Sequence, residues 1–143
     1  MKNKVSIVFD AISENEGLAR VVAASFAANL NPTLEEISDI KTAVSEAVTN
    51  AIVHGYDNAE GRVTMNMVSD NEKLYIEIID TGCGIEDTKK AMEPMFTTKP
   101  EQERTGMGFV FMEVFMDELT VESKLGEGTK IKMVKTILGN KKL

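Results

Sequence analysis

The stretch EAVTNAIVHGY, residues 46–56, closes a long predicted helix and carries two polar side chains on one face. Apolar residues at helical spacing begin at Leu34 and continue to Ala51. Glu46 and Asn50 are four residues apart, so both project from the same side of this helix. The Asn50 amide oxygen is a hard, neutral ligand suited to Mg²⁺, and Glu46 could orient a hydroxyl and accept its proton. A solvent-facing pair with no function is the alternative, and the spacing alone favours it.

A second polar segment follows a predicted antiparallel hairpin formed by two apolar, alternating strands at residues 63–67 and 74–80. Asp80 ends the second strand, and Gly82 and Gly84 follow it at alternate positions. Glycine allows a flat ligand to approach the backbone closely. A carboxylate only accepts hydrogen bonds, so it would pair with the exocyclic amine of adenine and repel the carbonyl of guanine. A tight turn that uses Asp and Gly for its geometry alone is an equal alternative.

A third segment, TGMGF at residues 105–109, directly precedes a predicted helix. Gly106 and Gly108 would leave backbone N–H groups at the helix start open to an anion, although most Gly-x-Gly sequences are only turns. The polar segment at about 86–105 has the length of a lid or binding loop. Two of its cations, Lys99 and Arg104, could converge with the helix start on a phosphate chain. Solvated surface charges are the alternative.

The order of elements predicts the fold class. A strand, two helices, a hairpin, a glycine loop, a lid, a helix and a second hairpin follow one another along the chain. This order is typical of an α+β fold, and we expect a two-layer α/β sandwich. Helices would cover one face of a mixed, mostly antiparallel sheet.

The composition indicates a globular chain of one domain, with 143 residues, 43% hydrophobic and 27% charged. The single cysteine, Cys83, excludes an intrachain disulfide. A net charge of −7 argues against direct binding of nucleic acid, which requires clustered Lys and Arg. No apolar run approaches the roughly 18 residues of a membrane helix, and no secretory signal is evident. We therefore expect a cytoplasmic protein that contacts neither nucleic acid nor membrane.

In combination, the motifs resemble the Bergerat-fold (GHKL) ATPases and kinases, the family of DNA gyrase B, heat-shock protein 90, histidine kinases and MutL. EAVTNA at residues 46–51 matches the N box, Asp80-x-Gly82-x-Gly84 the first glycine box, and residues 106–108 the second. Thr129 matches the threonine that supports the adenine-binding aspartate. The strings at residues 46–56, 95–100 (MFTTKP) and 103–109 (ERTGMGF) are similar to the anti-sigma-F kinases of spore-forming bacteria, and this similarity extends over residues 5–137.

The resemblance implies a single histidine-kinase-like ATPase domain over residues 1–143, with an ATP lid at about 86–105. It implies a homodimer that binds ATP or ADP with Mg²⁺. Such a protein would bind and inhibit a sporulation sigma factor (sigma-F), and would phosphorylate a serine of the anti-anti-sigma protein. A nucleotide-gated binding module, or an ATPase without protein phosphotransfer, is the alternative function.

The resemblance also assigns roles by position. Glu46 would be the catalytic base, Asn50 would ligate Mg²⁺, Asp80 would bind adenine with help from Thr129, and Arg20 would dock a partner. Further nucleotide-binding positions are Gly82, Gly84, Thr97, Thr98, Lys99, Arg104, Gly106 and Gly108. The phospho-acceptor would lie on another protein, and neither His54 nor Cys83 is assigned a role.

Overall fold

The computed structural model describes residues 2–93 and 108–139. Five strands, four α-helices and one π-helical segment form in these ranges. Their order is β1 (Asn3–Asp10), α1 (Glu14–Ala28), α2 (Leu34–Thr49), the π-helical segment (Asn50–Gly55), β2 (Arg62–Asp70), β3 (Lys73–Asp80), α3 (Thr88–Ala91), α4 (Gly108–Phe115), β4 (Glu118–Lys124) and β5 (Gly128–Thr136). The predicted hairpins, long second helix and third helix are therefore confirmed.

The five strands form one sheet in the order β1-β2-β3-β5-β4, and each of the four pairings is antiparallel. The predicted α+β sandwich is confirmed, but the expectation of a mixed sheet is wrong in the described part of the chain. β4 runs in the same direction as β3, but β5 lies between them. Because the returning strand of the last hairpin pairs with β3, no parallel pair forms.

The core lies between one face of the sheet and the helices α1, α2 and α4. Alternate residues of the strands point into it, as expected for a sheet with one covered face. Fully buried alanines on α1 and α2 let these two helices approach closely. The largest buried side chains are Ile40, Met65, Met67, Leu74, Ile76, Ile78, Met112, Ile131 and Met133. No helix in the described ranges combines the length and apolar character needed to cross a lipid bilayer.

The start of α2 is fixed by a capping box, as the Thr33–Glu36 spacing predicts. The Glu36 N–H donates to Thr33 Oγ1 at 3.1 Å, and the Thr33 N–H donates to Glu36 Oε1 at 2.9 Å. Ser13 and Glu16 have the same spacing, which predicts a capping box at the start of α1, but this prediction is wrong because the Ser13 side chain makes no capping hydrogen bond. There the Asn15 side chain donates to the Asp10 carbonyl instead.

Glu36 also joins the far end of the chain to α2. Its carboxylate accepts hydrogen bonds from the backbone N–H groups of Leu138, at 2.8 Å, and Gly139, at 3.0 Å. Burial would raise the pKa of the Glu36 carboxyl, but these bonds and those with Thr33 outweigh it and hold the pKa below its ordinary value. A lowered pKa contributes stability above the unfolded-state pKa, and this stability is lost as the pH falls through the folded-state pKa.

Glu36→Ala should lower the free energy of unfolding by about 2–4 kcal/mol, because the backbone N–H groups of Thr33, Leu138 and Gly139 lose their acceptor. Urea unfolding at neutral pH measures the change. Glu35→Ala is the matched control, since Glu35 is exposed in the same helical turn. Equal urea midpoints for the two variants would contradict the role given to Glu36.

Candidate functional site

The helix that carries Glu46 and Asn50 changes its geometry at Asn50. Regular α-helix ends at Thr49, and the next six residues are π-helical, with the Tyr56 N–H donating to the Ala51 carbonyl at 2.9 Å. Inserted π turns are frequent at functional sites because they reorient side chains and carbonyls. Here the Gly55 carbonyl accepts the Cys83 N–H at 2.8 Å. The π-helical segment therefore joins the N-box motif to the first glycine motif, a junction that the predicted uninterrupted helix does not contain.

Asp80 lies at the end of β3 and is almost fully buried, with 4% of its surface exposed. Its Oδ1 accepts the Gly82 N–H at 2.9 Å, and the backbone N–H of Thr129 also bonds to the carboxylate. Burial raises the pKa of Asp80, while these two backbone hydrogen bonds act in the opposite direction and only partly compensate. A carboxylate in such a position is a strong acceptor with little solvent competing for it.

Glycines surround Asp80 on three sides. A Cβ atom added to Gly82 would lie 1.9 Å from the Gly55 carbonyl oxygen, and one added to Gly128 would lie 2.1 Å from the Asp80 carbonyl oxygen. A Cβ on Gly55 would lie 2.8 Å from Asp80 Oδ1. The predicted glycine motif is therefore more than a turn signal, because larger residues would displace the carboxylate or the loop beside it. This cradle of bare backbone lets Gly55, Gly82 and Gly128 pack directly against Asp80 and the loop that follows it.

Gly84 is a glycine for a different reason, which is its backbone conformation and its close contact with β4. Its φ of +75° lies in the left-handed region, and an added Cβ would approach the Lys124 carbonyl oxygen to 2.2 Å. The neighbouring Cys83 carbonyl accepts the Gly126 N–H at 2.6 Å. The glycine motif is thus attached to the β4–β5 turn on one side and to the π-helical segment on the other.

Two residues near the glycine motif were not predicted. The Tyr56 hydroxyl accepts the Thr81 N–H at 2.8 Å and donates to the Arg62 carbonyl at 2.5 Å, so it fixes the end of β3. Ser123 lies opposite Thr129 in the β4–β5 hairpin, with 2.8 Å between their hydroxyl oxygens. A polar residue on the inward side of β4, after Leu119 and Val121, is the sequence signal that could have identified Ser123.

Glu46 lines an open groove of about 650 Å³ between α1 and α2. Arg20 lies in the same groove, where its Nη1 donates to Glu16 Oε1 at 3.0 Å and to Ser45 Oγ at 3.1 Å. Thr49 Oγ1 donates to the other oxygen of Glu16 at 3.3 Å. The residues lining the groove are Ser13, Glu16, Arg20, Leu34, Ile37, Ser38, Lys41, Thr42, Ser45, Glu46, Thr49, Ile52 and Val53. The structure therefore places Arg20 and Glu46 in one groove, and the Arg20 side chain is 39% exposed.

The remaining predicted positions divide into two groups. Asn50 begins the π-helical segment and is buried, Thr129 pairs with Asp80, and Gly108 begins α4, which packs against α2. The predicted phosphate-binding positions Thr97, Thr98, Lys99, Arg104 and Gly106 lie outside the described residues. Over residues 2–93 and 108–139, no group of three or more His, Cys, Asp and Glu side chains could hold a metal ion. The amide oxygen of Asn50 is a ligand of the type that Mg²⁺ accepts in proteins.

The family comparison agrees with this geometry. The family model described as a histidine kinase-like ATPase domain matches residues 9–135. Among solved structures, the RsbU and RsbW domains of Rv1364c from Mycobacterium tuberculosis superpose with a TM-score of 0.66 at 20% sequence identity. That match covers 94% of this chain and 32% of the longer one, and it supports the fold alone.

Curated relatives are much more similar in sequence. An anti-sigma F factor from Clostridium acetobutylicum is 58% identical over 135 residues, which is 94% of each chain. One from Thermoanaerobacter pseudethanolicus is 55% identical over 97% of each chain. One from Bacillus subtilis is 49% identical over 144 aligned positions, covering 100% of this chain and 99% of the relative. Sequence similarity of this extent includes every element of the fold described above.

Proposed function

Since the chain belongs to the anti-sigma F factor family and carries the histidine kinase-like ATPase domain, we propose that it is a protein serine kinase that uses Mg-ATP. We further propose that it binds and inhibits a sporulation sigma factor and phosphorylates a serine of an anti-anti-sigma protein. The position of Glu46 carries the kinase proposal. Its carboxylate lines an open groove, which a loop of another protein could enter.

Different residues would bind the adenine ring and the phosphates of the nucleotide. Asp80 would accept a hydrogen bond from the adenine amine, and the bare backbone at Gly82 and Gly84 would accommodate the ring. Thr97, Thr98, Lys99, Arg104, Gly106 and Gly108 would contact the phosphates. Local cations are needed there, because a net charge of −7 repels a nucleotide triphosphate at long range.

Asn50 would hold Mg²⁺ through its amide oxygen, together with phosphate oxygens. The bound ion would neutralise charge on the transferring phosphate. Glu46 would orient the acceptor serine for in-line attack on the γ-phosphorus. The bond from that phosphorus to the ADP oxygen breaks as the serine Oγ–P bond forms. The serine proton passes late to Glu46, because phosphoryl transfer depends mainly on positioning and on charge stabilisation.

Arg20 is proposed to dock the protein partner at the groove. Its guanidinium is held by Glu16 and Ser45 but keeps 39% of its side chain exposed, so its remaining N–H groups can reach a carboxylate or carbonyl of a partner. Arg20→Ala should therefore weaken partner binding by about 10-fold or more, while ATP affinity stays unchanged. Calorimetric titration measures both affinities. Lys73→Ala is the control, because Lys73 is an exposed cation outside the groove. Equal partner affinity in both variants would rule out this docking role.

A homodimer is also proposed. β1 is an edge strand of the sheet, and apolar side chains on β1 and α1 face solvent, with Val8 57% and Val21 64% exposed. A second copy of the chain would cover these side chains and pair with the strand edge, both of which favour association. Sedimentation equilibrium tests this proposal. Twice the chain mass of 15.7 kDa is expected, and the single-chain mass would contradict it.

The kinase proposal is tested by incubating the chain with γ-labelled ATP and a candidate anti-anti-sigma protein, then locating the label by mass spectrometry. Label on one serine of the partner is expected. Release of inorganic phosphate without a labelled partner would instead support an ATPase. Co-purification with the sigma factor, and its loss of transcription activity in the presence of the chain, test the anti-sigma role separately.

A further inference from the structure

The Ser123 hydroxyl connects the segment after the glycine motif to Thr129 by hydrogen bonds. The Ile85 N–H donates to Ser123 Oγ at 2.7 Å. The same Ser123 Oγ lies 2.9 Å from the Gly128 carbonyl oxygen, to which it donates. It also lies 2.8 Å from Thr129 Oγ1. Ser123 therefore contacts three polar groups with one proton and two lone pairs.

The number of available protons fixes which group donates in each hydrogen bond around Ser123. The Gly128 carbonyl can only accept, so it takes the Ser123 proton. The Ile85 N–H can only donate, so it uses one Ser123 lone pair. The second lone pair of Ser123 is then left for Thr129, which donates its own proton to it. Any further group that contacts Thr129 Oγ1 consequently meets a lone pair and no donor.

Thr129 and Asp80 are paired neighbours on β5 and β3, and each has 4% of its surface exposed. An ionised Asp80 is also an acceptor only. Because Thr129 donates its proton to Ser123, the side chains of Thr129 and Asp80 both offer hydrogen-bond acceptors. A 6-aminopurine carries two N–H donors on one nitrogen, which matches two acceptors. A 6-oxopurine presents an acceptor at the same position and would be repelled.

We infer that Ser123 is a positioning residue that holds Thr129 as a hydrogen-bond acceptor and thereby makes the site selective for 6-aminopurine nucleotides. The inference rests on the proposed nucleotide site and adds to it a residue that does not contact the ligand. Ser123 acts through the orientation of one proton. Its effect must therefore depend on the amino group of the ligand.

The test compares wild type with Ser123→Ala, using ATP and purine riboside triphosphate, which lacks only the 6-amino group, as competitors of a fluorescent nucleotide. Ser123→Ala should weaken ATP binding about 3- to 12-fold, the contribution of one hydrogen bond, and purine riboside triphosphate by less than about 2-fold. Ser123→Thr keeps the hydroxyl and should restore ATP affinity. Thr120→Ala removes an exposed hydroxyl from the same strand and should change neither affinity.

Equal weakening of both ligands would overturn the inference, because it would mean that Ser123 only supports the loop at Ile85. Unchanged ATP affinity in Ser123→Ala would overturn it as well. If Ser123→Ala does not fold, Ser123→Cys keeps an unbranched side chain with much weaker hydrogen bonding, and the same two ligands decide the result. Failure of wild type to bind ATP would refute the nucleotide site itself, an outcome distinct from failure of the Ser123 role.

Discussion

Glu46→Gln is expected to reduce phosphate transfer to a serine acceptor by about 10²- to 10⁴-fold while leaving ATP affinity within about 2-fold of wild type. Gln keeps the length and one acceptor oxygen of Glu but cannot take the serine proton. Glu46 lines the open groove between α1 and α2, which Asp80 does not line, so the change removes no proposed contact with the adenine ring. Binding and transfer should therefore separate in this variant.

Single-turnover transfer of label from ATP to the partner measures the chemical step, and nucleotide titration measures the binding step. Glu35→Gln is the matched control, because Glu35 is exposed at the start of the same helix and lies outside the groove. A parallel loss of binding and transfer would count against a base at Glu46 without removing the nucleotide site. Full transfer in Glu46→Gln would refute the role.

The same variant separates the alternative functions. A nucleotide-gated binding module predicts that Glu46→Gln leaves partner affinity and its dependence on ATP unchanged, with no serine labelled even by wild type. An ATPase predicts multiple turnovers of ATP without any partner, and a loss of that turnover in the variant. Only a protein kinase predicts that partner labelling is the activity lost.

Local patterns predicted much of the fold, and long-range pairing explains most of what they missed. The alternation in β2 and β3 and the periodicity of α2 each follow from one segment of sequence. The antiparallel pairing of β5 with β3 joins residues from 49 positions apart (Asp80 and Thr129) to 63 positions apart (Lys73 and Thr136), which no local pattern specifies. The Ser13 capping box does not form because Ser13 has helical dihedral angles (φ −56°, ψ −34°), so the Glu16 N–H donates to the Ser13 carbonyl, and the Glu16 carboxylate binds Arg20 instead.

In the candidate site, too, local patterns predicted some residues and long-range contacts determine the others. Asp80, Gly82 and Gly84 were predicted because three residues within one turn carry the whole signal. Ser123 was missed because its contact with Ile85 forms only when the segment after the glycine motif meets the β4–β5 hairpin, where Ser123 lies opposite Thr129. The π-helical geometry at Asn50 also has no local signature in an apolar helical stripe. It arises where the helix end meets the glycine motif through Gly55 and Cys83.

Asp80→Ala is expected to weaken ATP binding by about 10- to 150-fold, the range that 1.5–3 kcal/mol for a hydrogen bond to a charged group implies. It should also bring the affinities for ATP and GTP close together, because the acceptor that distinguishes them is gone. Asp80→Asn keeps one acceptor oxygen and should lose less. Competition titrations with both nucleotides measure these effects, and an unchanged ATP affinity in Asp80→Ala would refute the adenine assignment. Asp70→Ala is the control, since Asp70 ends the neighbouring strand β2 outside the glycine cradle.

The raised pKa of Asp80 means that its ionised carboxylate lowers the free energy of unfolding of the protein without nucleotide. Between the unfolded-state and folded-state pKa values, the folded chain holds a proton that the unfolded chain has lost, so stability falls as the pH rises through that interval. Above it, the cost of a buried charge is fully present. Asp80→Asn removes that cost, so its free energy of unfolding at neutral pH should equal or exceed that of wild type although ATP binding is weaker.

The ATP affinity of wild type should fall as the pH is lowered through the raised pKa of Asp80, because the neutral carboxyl is a weaker acceptor. Asp80→Asn should lack this pH dependence. Loss of both stability and affinity in Asp80→Asn would instead make Asp80 a structural residue of the β3–β5 pair.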